Sequence, residues 1–79
     1  MARIYIGPGR KAGIRPADLV GAITHEAGVS SRDLGAIDIA DRFSLVDVPE
    51  AIADAVIAAM RKAMLRGQKV QVRRDREAG

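Results

Sequence analysis

The sequence predicts a two-layer α+β domain, a four-stranded antiparallel sheet with two helices covering one of its faces. Three observations carry the prediction. Four short stretches, 3–7, 34–39, 43–48 and 69–74, alternate apolar and polar residues as strands do. Two longer stretches, 16–27 and the one opened by Pro49, space their apolar residues at helical intervals. The six elements follow as βαββαβ, the split βαβ order of ferredoxin-like domains, and two right-handed crossovers then set the strands side by side as 4-1-3-2.

The first strand turns Ile4 and Ile6 to one face and Arg3 and Tyr5 to the other. A turn-rich basic loop from Gly7 to Gly13 follows, with Pro8, Arg10 and Lys11 inside it. It lacks the Gly-Lys-Ser/Thr ending of a phosphate-binding loop and the spacing of a dinucleotide fingerprint. It therefore reads either as a mobile connection whose glycines relieve strain or as a place where Arg10 and Lys11 meet phosphate. Pro16 suits the first turn of a helix, where its missing N–H costs nothing, and Asp18 complements the helix dipole. Leu19, Val20, Ile23 and Ala27 form the apolar stripe of this helix, which Gly28 ends. His25 falls off the stripe and belongs to a solvated surface.

In the second strand Ile37 and Ile39 face inward and Ala36 and Asp38 outward, and Asp41-Arg42 is short enough only for a hairpin turn. The third strand sends Ser44, Val46 and Val48 to the core and Phe43, Leu45 and Asp47 to the open side, so both its faces carry apolar residues. Pro49 opens the second helix, with Ile52, Val56, Ala59, Met60 and Ala63 expected to be buried. Glu50 and Asp54 stand in its first turns, Arg61, Lys62 and Arg66 near its end, and Gly67 is its expected stop. The last strand turns Val70 and Val72 inward and Lys69, Gln71 and Arg73 outward.

The chain of 79 residues is one domain, expected over 1–74 with a frayed tail at 75–79. It has no cysteine and one histidine, so a disulfide framework, a zinc ribbon and thiol chemistry are excluded, and no metal or cofactor is expected. No apolar run has the length of a membrane span, and residues 1–15 lack the core of a signal peptide, which points to a cytoplasmic protein without membrane contact. No acid, base or nucleophile constellation gathers on one face, which argues against an enzyme. Asp38 and Asp47 read as solvated carboxylates or as repellents against wrong docking.

Charge is distributed unevenly. Residues 1–15 carry Arg3, Arg10, Lys11 and Arg15 with no acid, residues 16–60 carry eight acids against Arg32 and Arg42, and residues 61–79 carry seven basic residues against Asp75 and Glu77. In the 4-1-3-2 order the first and fourth strands are neighbours, so Arg3 and Tyr5 are expected beside Lys69, Gln71 and Arg73, with the basic loop nearby. Such a surface suits a polyanion: aromatic rings stack unpaired bases while Arg and Lys neutralise phosphate. Asp41-Arg42-Phe43-Ser44-Leu45-Val46-Asp47-Val48 keeps the first stacking position of the RNP1 pattern, replaces the second with Leu45, and places an acid at Asp47. Tyr5 occupies the place of the RNP2 aromatic. The competing reading is that Tyr5 and Phe43 are simply good strand formers.

Four segments, Ile14-Arg15-Pro16-Ala17-Asp18-Leu19-Val20-Gly21-Ala22-Ile23, Leu34-Gly35-Ala36-Ile37-Asp38-Ile39, Phe43-Ser44-Leu45-Val46-Asp47-Val48-Pro49 and Gly67-Gln68-Lys69-Val70-Gln71-Val72-Arg73, together resemble the DbpA-type RNA-binding domain found at the C-terminus of bacterial DEAD-box RNA helicases. The resemblance runs from Arg3 to Arg74. It implies an RRM-like fold and a module that tethers a helicase core, in cis, to structured RNA. In several members of the family the target is a hairpin of large-subunit ribosomal RNA in ribosome assembly; others act in RNA remodelling. The chain contains no Walker A loop and no Asp-Glu-Ala-Asp run, so ATPase and unwinding activity belong to a parent chain. The expected RNA-binding residues are Arg3, Tyr5, Arg10, Lys11, Arg15, Phe43, Lys69, Gln71, Arg73 and Arg74. The alternative is a ferredoxin-like protein-interaction or dimerisation module that docks a partner on Phe43, Leu45 and Tyr5.

Overall fold

A computed structural model describes residues 1–75. In chain order its elements are β1 (Ala2–Gly7), α1 (Pro16–Ala27), β2 (Ile37–Ile39), β3 (Ser44–Val48), α2 (Glu50–Met60), β4 (Met64–Leu65), β5 (Gln68–Lys69) and β6 (Gln71–Arg74). The main sheet has the order β2-β3-β1-β6 with every pairing antiparallel, which is the expected 4-1-3-2 arrangement with β6 as the fourth strand. Alternation along β1 and β3 puts Ile4, Ile6, Val46 and Val48 on the helix-covered face, where Leu19, Ile23, Val56 and Met60 meet them, all fully buried. Each such side chain contributes roughly 1.5–3 kcal/mol by leaving water. Ser44 is buried among them because its hydroxyl donates to the Pro8 carbonyl at 3.1 Å.

Helix α1 begins as its residues dictate. Pro16 fills the first helical position, and the Asp18 carboxylate accepts from the Arg15 N–H at 2.9 Å, satisfying one donor at the helix start. At the other end Gly28 takes the left-handed conformation, φ 68°, and its N–H donates to Thr24 O at 3.0 Å. His25 is exposed.

Two expectations are corrected. The second helix stops at Met60 rather than at Gly67, with buried residues Ala53, Val56, Ile57 and Met60, while Ile52 and Ala59 are only half-buried. Residues beyond it form a small hairpin: Met64 pairs with Lys69 and Leu65 with Gln68 across a turn in which Arg66 and Gly67 both have positive φ, 52° and 76°. A left-handed glycine ends a helix and also fills a tight hairpin turn, so Gly67 satisfied either reading; the burial of Leu65, which lies off the helix's expected apolar stripe, fits the hairpin. In consequence Lys69 is paired with Met64 and does not lie beside Arg3 and Tyr5.

The second correction concerns the basic loop, which is not a mobile connection. The Arg10 N–H donates to Ala40 O at 2.7 Å and the Lys11 N–H to Asp41 O at 2.9 Å, so the segment is laid along the tip of the β2–β3 hairpin. That tip is the expected two-residue turn, closed by the Ala40 N–H on Phe43 O at 2.8 Å. Gly9 is buried against it, with the Ala40 and Phe43 backbones in the space a Cβ would need, and Ile14 continues the segment into the core. The expected second strand is shorter than 34–39, although Gly35 and Ala36 still exchange backbone hydrogen bonds with Asp47. Of the expected tail, Asp75 extends the ladder by one bond to Arg3 O at 2.9 Å, and 76–79 lie outside the described residues.

Candidate nucleic-acid interface

The open face of the sheet is built around Tyr5. On one side its ring stacks with Phe43, with centroids 5.3 Å apart and planes inclined by 17°. On β6, which flanks β1 on the other side, Arg73 is its cross-strand partner and places its guanidinium carbon 4.2 Å from the Tyr5 centroid. Phe43, Tyr5 and Arg73 therefore form a column that crosses three neighbouring strands, and with Leu45 and Asp75 they line a shallow cavity of about 230 Å³. The two contacts are worth about 0.5–1.5 kcal/mol for the ring pair and about 0.5–1 kcal/mol for an exposed cation over a ring. Gln71, opposite Gly7, continues the same face.

The open face is not the positive surface. Arg3 stands opposite Asp47, and its Nε donates to Asp47 Oδ1 at 3.1 Å. The Asp47 hydrogen bond, followed by that carboxylate's charge, raises the Arg3 pKa further above the usual arginine value. Asp38, exposed across from Leu45, and Asp75 add negative charge beside them. On this face Arg3 and Arg73 are set against three carboxylates.

Positive charge collects instead at the end of the domain where β1 finishes. The segment from Gly9 to Gly13 joins both hairpin tips there: its backbone is bonded to Ala40 and Asp41 on one, and Gly13 O accepts from Arg66 Nε at 3.3 Å on the other. This brings together Arg10, Lys11, Arg15, Arg42, Arg66 and Lys69, with Lys62 just beyond α2, against the acids Asp18 and Asp41. Two loose ion pairs at 3.8 Å, Arg10–Asp41 and Arg66–Asp18, leave most of that charge uncompensated. Among the described residues no carboxylate lies within ion-pair distance of Lys11, Arg15, Arg42, Lys62 or Lys69. On the β2 side Arg10 and Arg15 border an apolar cleft of about 360 Å³ over Ile14, Pro16, Ile37 and Ile39, and Ile39 O accepts from Arg10 Nη2 at 2.9 Å.

The expected site residues thus divide among three places. Arg3, Tyr5, Phe43, Gln71 and Arg73 share the open face; Arg10, Lys11, Arg15 and Lys69 belong to the basic end. Arg74 is on neither. It pairs with Ile4, on the helix side, and its guanidinium bridges Glu50 at 3.1 Å and Asp54 at 3.2 Å, whose hydrogen bonds, Asp54 first, raise its pKa. Sequence reasoning left out Arg42, Lys62 and Arg66. The Arg66-Gly67 dipeptide, a residue followed by glycine between two alternating stretches, is the signal that places Arg66 on a turn.

A four-stranded antiparallel sheet backed by two helices, with stacked rings on its open face and a cation-rich end, defines a ferredoxin-like nucleic-acid-binding module. The chain belongs to the DbpA RNA-binding domain family, whose model matches residues 3–74. It is 33% identical over 70 residues to the ATP-dependent RNA helicase DbpA of Bacillus subtilis, a match that covers 89% of this chain and 15% of that protein. It is 32% identical over 73 residues to the ATP-dependent RNA helicase DbpA of Escherichia coli, covering 92% of the chain and 16% of the relative. Against the ATP-dependent RNA helicase DeaD of Mycobacterium tuberculosis it is 32% identical over 71 residues, 90% of the chain and 12% of the relative. The chain therefore spans only a small part of these proteins. Membership makes it a non-catalytic RNA-binding domain.

Proposed function

We propose that this domain tethers the core of an ATP-dependent DEAD-box RNA helicase to structured RNA, with a hairpin of large-subunit ribosomal RNA as the target and ribosome assembly or RNA remodelling in the cytoplasm as the setting. One observation supports the reading most. The Gly9–Gly13 segment is bonded to both hairpin tips and so concentrates Arg10, Lys11, Arg15, Arg42, Arg66 and Lys69 at one end of a small domain. Phosphates meet that end, while the Phe43–Tyr5–Arg73 column beside it offers ring and guanidinium planes to an unpaired base. Arg3 and Arg74, held by carboxylates of the domain itself, act in the fold more than on RNA.

The test is a titration of the chain with a ribosomal hairpin and a scrambled control at several salt concentrations. Lys11→Gln with Arg15→Gln is expected to reduce the salt slope of log K by about two, one for each lost phosphate contact. An unchanged slope overturns the placement of phosphate at this end. Equal affinity for the scrambled control overturns the choice of target.

A further inference from the structure

The β4–β5 hairpin holds a side chain that the fold does not use. Met64 is 59% exposed, and the only other large apolar residue so exposed among the described residues is Met1, at the start of the chain. Met64 belongs neither to the buried core nor to the partly buried residues packed against it. Its surroundings are specific: Lys69 is its direct cross-strand partner, and Lys62 precedes it by two residues. The hairpin is also held in place. Arg66, at its turn, donates from Nε to Gly13 O at 3.3 Å and lies 3.8 Å from Asp18, while the neighbouring Leu65 is buried in the core. Met64 is therefore presented on a fixed support, with an ammonium group on the strand beside it.

We infer that the β4–β5 hairpin is a second base-contacting element, in which the Met64 thioether lies against the face of an unpaired RNA base while Lys62 and Lys69 engage the flanking phosphates. The inference rests on the RNA-tethering reading and adds to it a contact separate from the Phe43–Tyr5–Arg73 column. Charge selects the occupant. Lys69 is paired with the methionine and Lys62 and Arg66 stand two residues to either side of it in the chain, with Asp18 the acid near Arg66, a field that attracts a polyanion and disfavours an acid-poor protein surface. A flexible, polarisable side chain contacts an aromatic plane without demanding one geometry, so the contact tolerates different bases.

The experiment uses the chain with two labelled RNAs of equal length, a hairpin with an unpaired loop and a fully paired duplex. Met64→Ala and Met64→Gln are each expected to weaken hairpin binding by about three- to tenfold, with the salt slope and the melting temperature unchanged. Met64→Leu retains most of the affinity, Lys69→Gln lowers the salt slope by about one, and duplex binding is indifferent to residue 64. Unchanged hairpin binding by both Met64 variants, alongside a reduced slope for Lys11→Gln with Arg15→Gln, overturns the hairpin contact and leaves the tethering reading standing. A loss that is equal on the duplex, or that tracks a fall in melting temperature, also overturns the base contact. If the unaltered chain binds neither RNA in a salt-dependent way, the tethering reading itself fails.

Discussion

Arg3 and Asp47 stand opposite each other on β1 and β3, and their side chains meet at 3.1 Å, which turns two charges assigned opposite roles toward RNA into one internal pair. Arg3→Gln is accordingly expected to leave the salt slope of RNA binding unchanged, whereas Arg73→Gln, which removes an exposed guanidinium, lowers it by about one. Parallel titrations of the two variants check this, and equal effects would return Arg3 to the RNA surface.

Arginines whose pKa is raised in the folded state contribute stability that is fully present below the unfolded value and lost only as pH rises through the folded one. For Arg3 and Arg74 that window lies above the ordinary arginine range. Thermal melts of Arg3→Gln and of the unaltered chain should therefore differ by the same amount throughout neutral and mildly alkaline pH.

Tyr5 is held between Phe43 and Arg73, so its truncation has a structural cost. Tyr5→Ala is expected to destabilise the domain by about 1–2 kcal/mol in urea unfolding, as ring and cation contacts go together. A double-mutant cycle with Phe43→Ala should return a coupling of about 0.5–1.5 kcal/mol, and a coupling of zero would make the stacking incidental.

Gly9 touches the hairpin backbone where a methyl group has no room. Gly9→Ala must push the basic segment off Ala40 and Phe43, a cost of about 1–3 kcal/mol by analogy with overpacked cores, and should weaken RNA binding at the same time. Amide exchange at Arg10 and Lys11, whose N–H groups are bonded to the hairpin, reports the detachment directly.

At Gly67 the space is open, so only the backbone resists substitution. Gly67→Ala should cost about 1 kcal/mol, and Gly67→Asn less, because Asn visits the left-handed region more readily. Were residues 61–67 helical up to a terminal glycine, Arg66→Pro would break a helix interior; at φ 52° proline is excluded for a different reason, its fixed negative φ.

Much of the site was legible as composition but not as position. Arg10, Lys11, Arg15 and Lys69 were identifiable because cations without nearby acids stand out along a chain. Their gathering at one end depends on backbone hydrogen bonds from Arg10 and Lys11 to residues 30 positions away, which no local pattern encodes. Alternation also placed Tyr5, Phe43 and Arg73 on one face, yet their stacking follows from the strand order that makes β3 and β6 the two neighbours of β1.

By itself the sequence determined the four strands of the main sheet to within a few residues, though not the β4–β5 hairpin that takes Lys69 away from the last of them, together with the start of each helix, the inward and outward sides of the sheet and, through the handedness of the crossovers, the strand order. These follow from period-two and helical spacing, proline geometry and chain chirality, all properties of neighbouring residues. Tertiary structure alone decided the end of α2, the pairing of Arg3 with Asp47, the capture of Arg74 by Glu50 and Asp54, and the pinning of the basic segment. Each depends on which groups meet across the fold. Gly67 shows the limit most plainly: its positive φ serves a helix end or a hairpin turn equally well, and the pairing of Met64 with Lys69 and the burial of Leu65 choose between them.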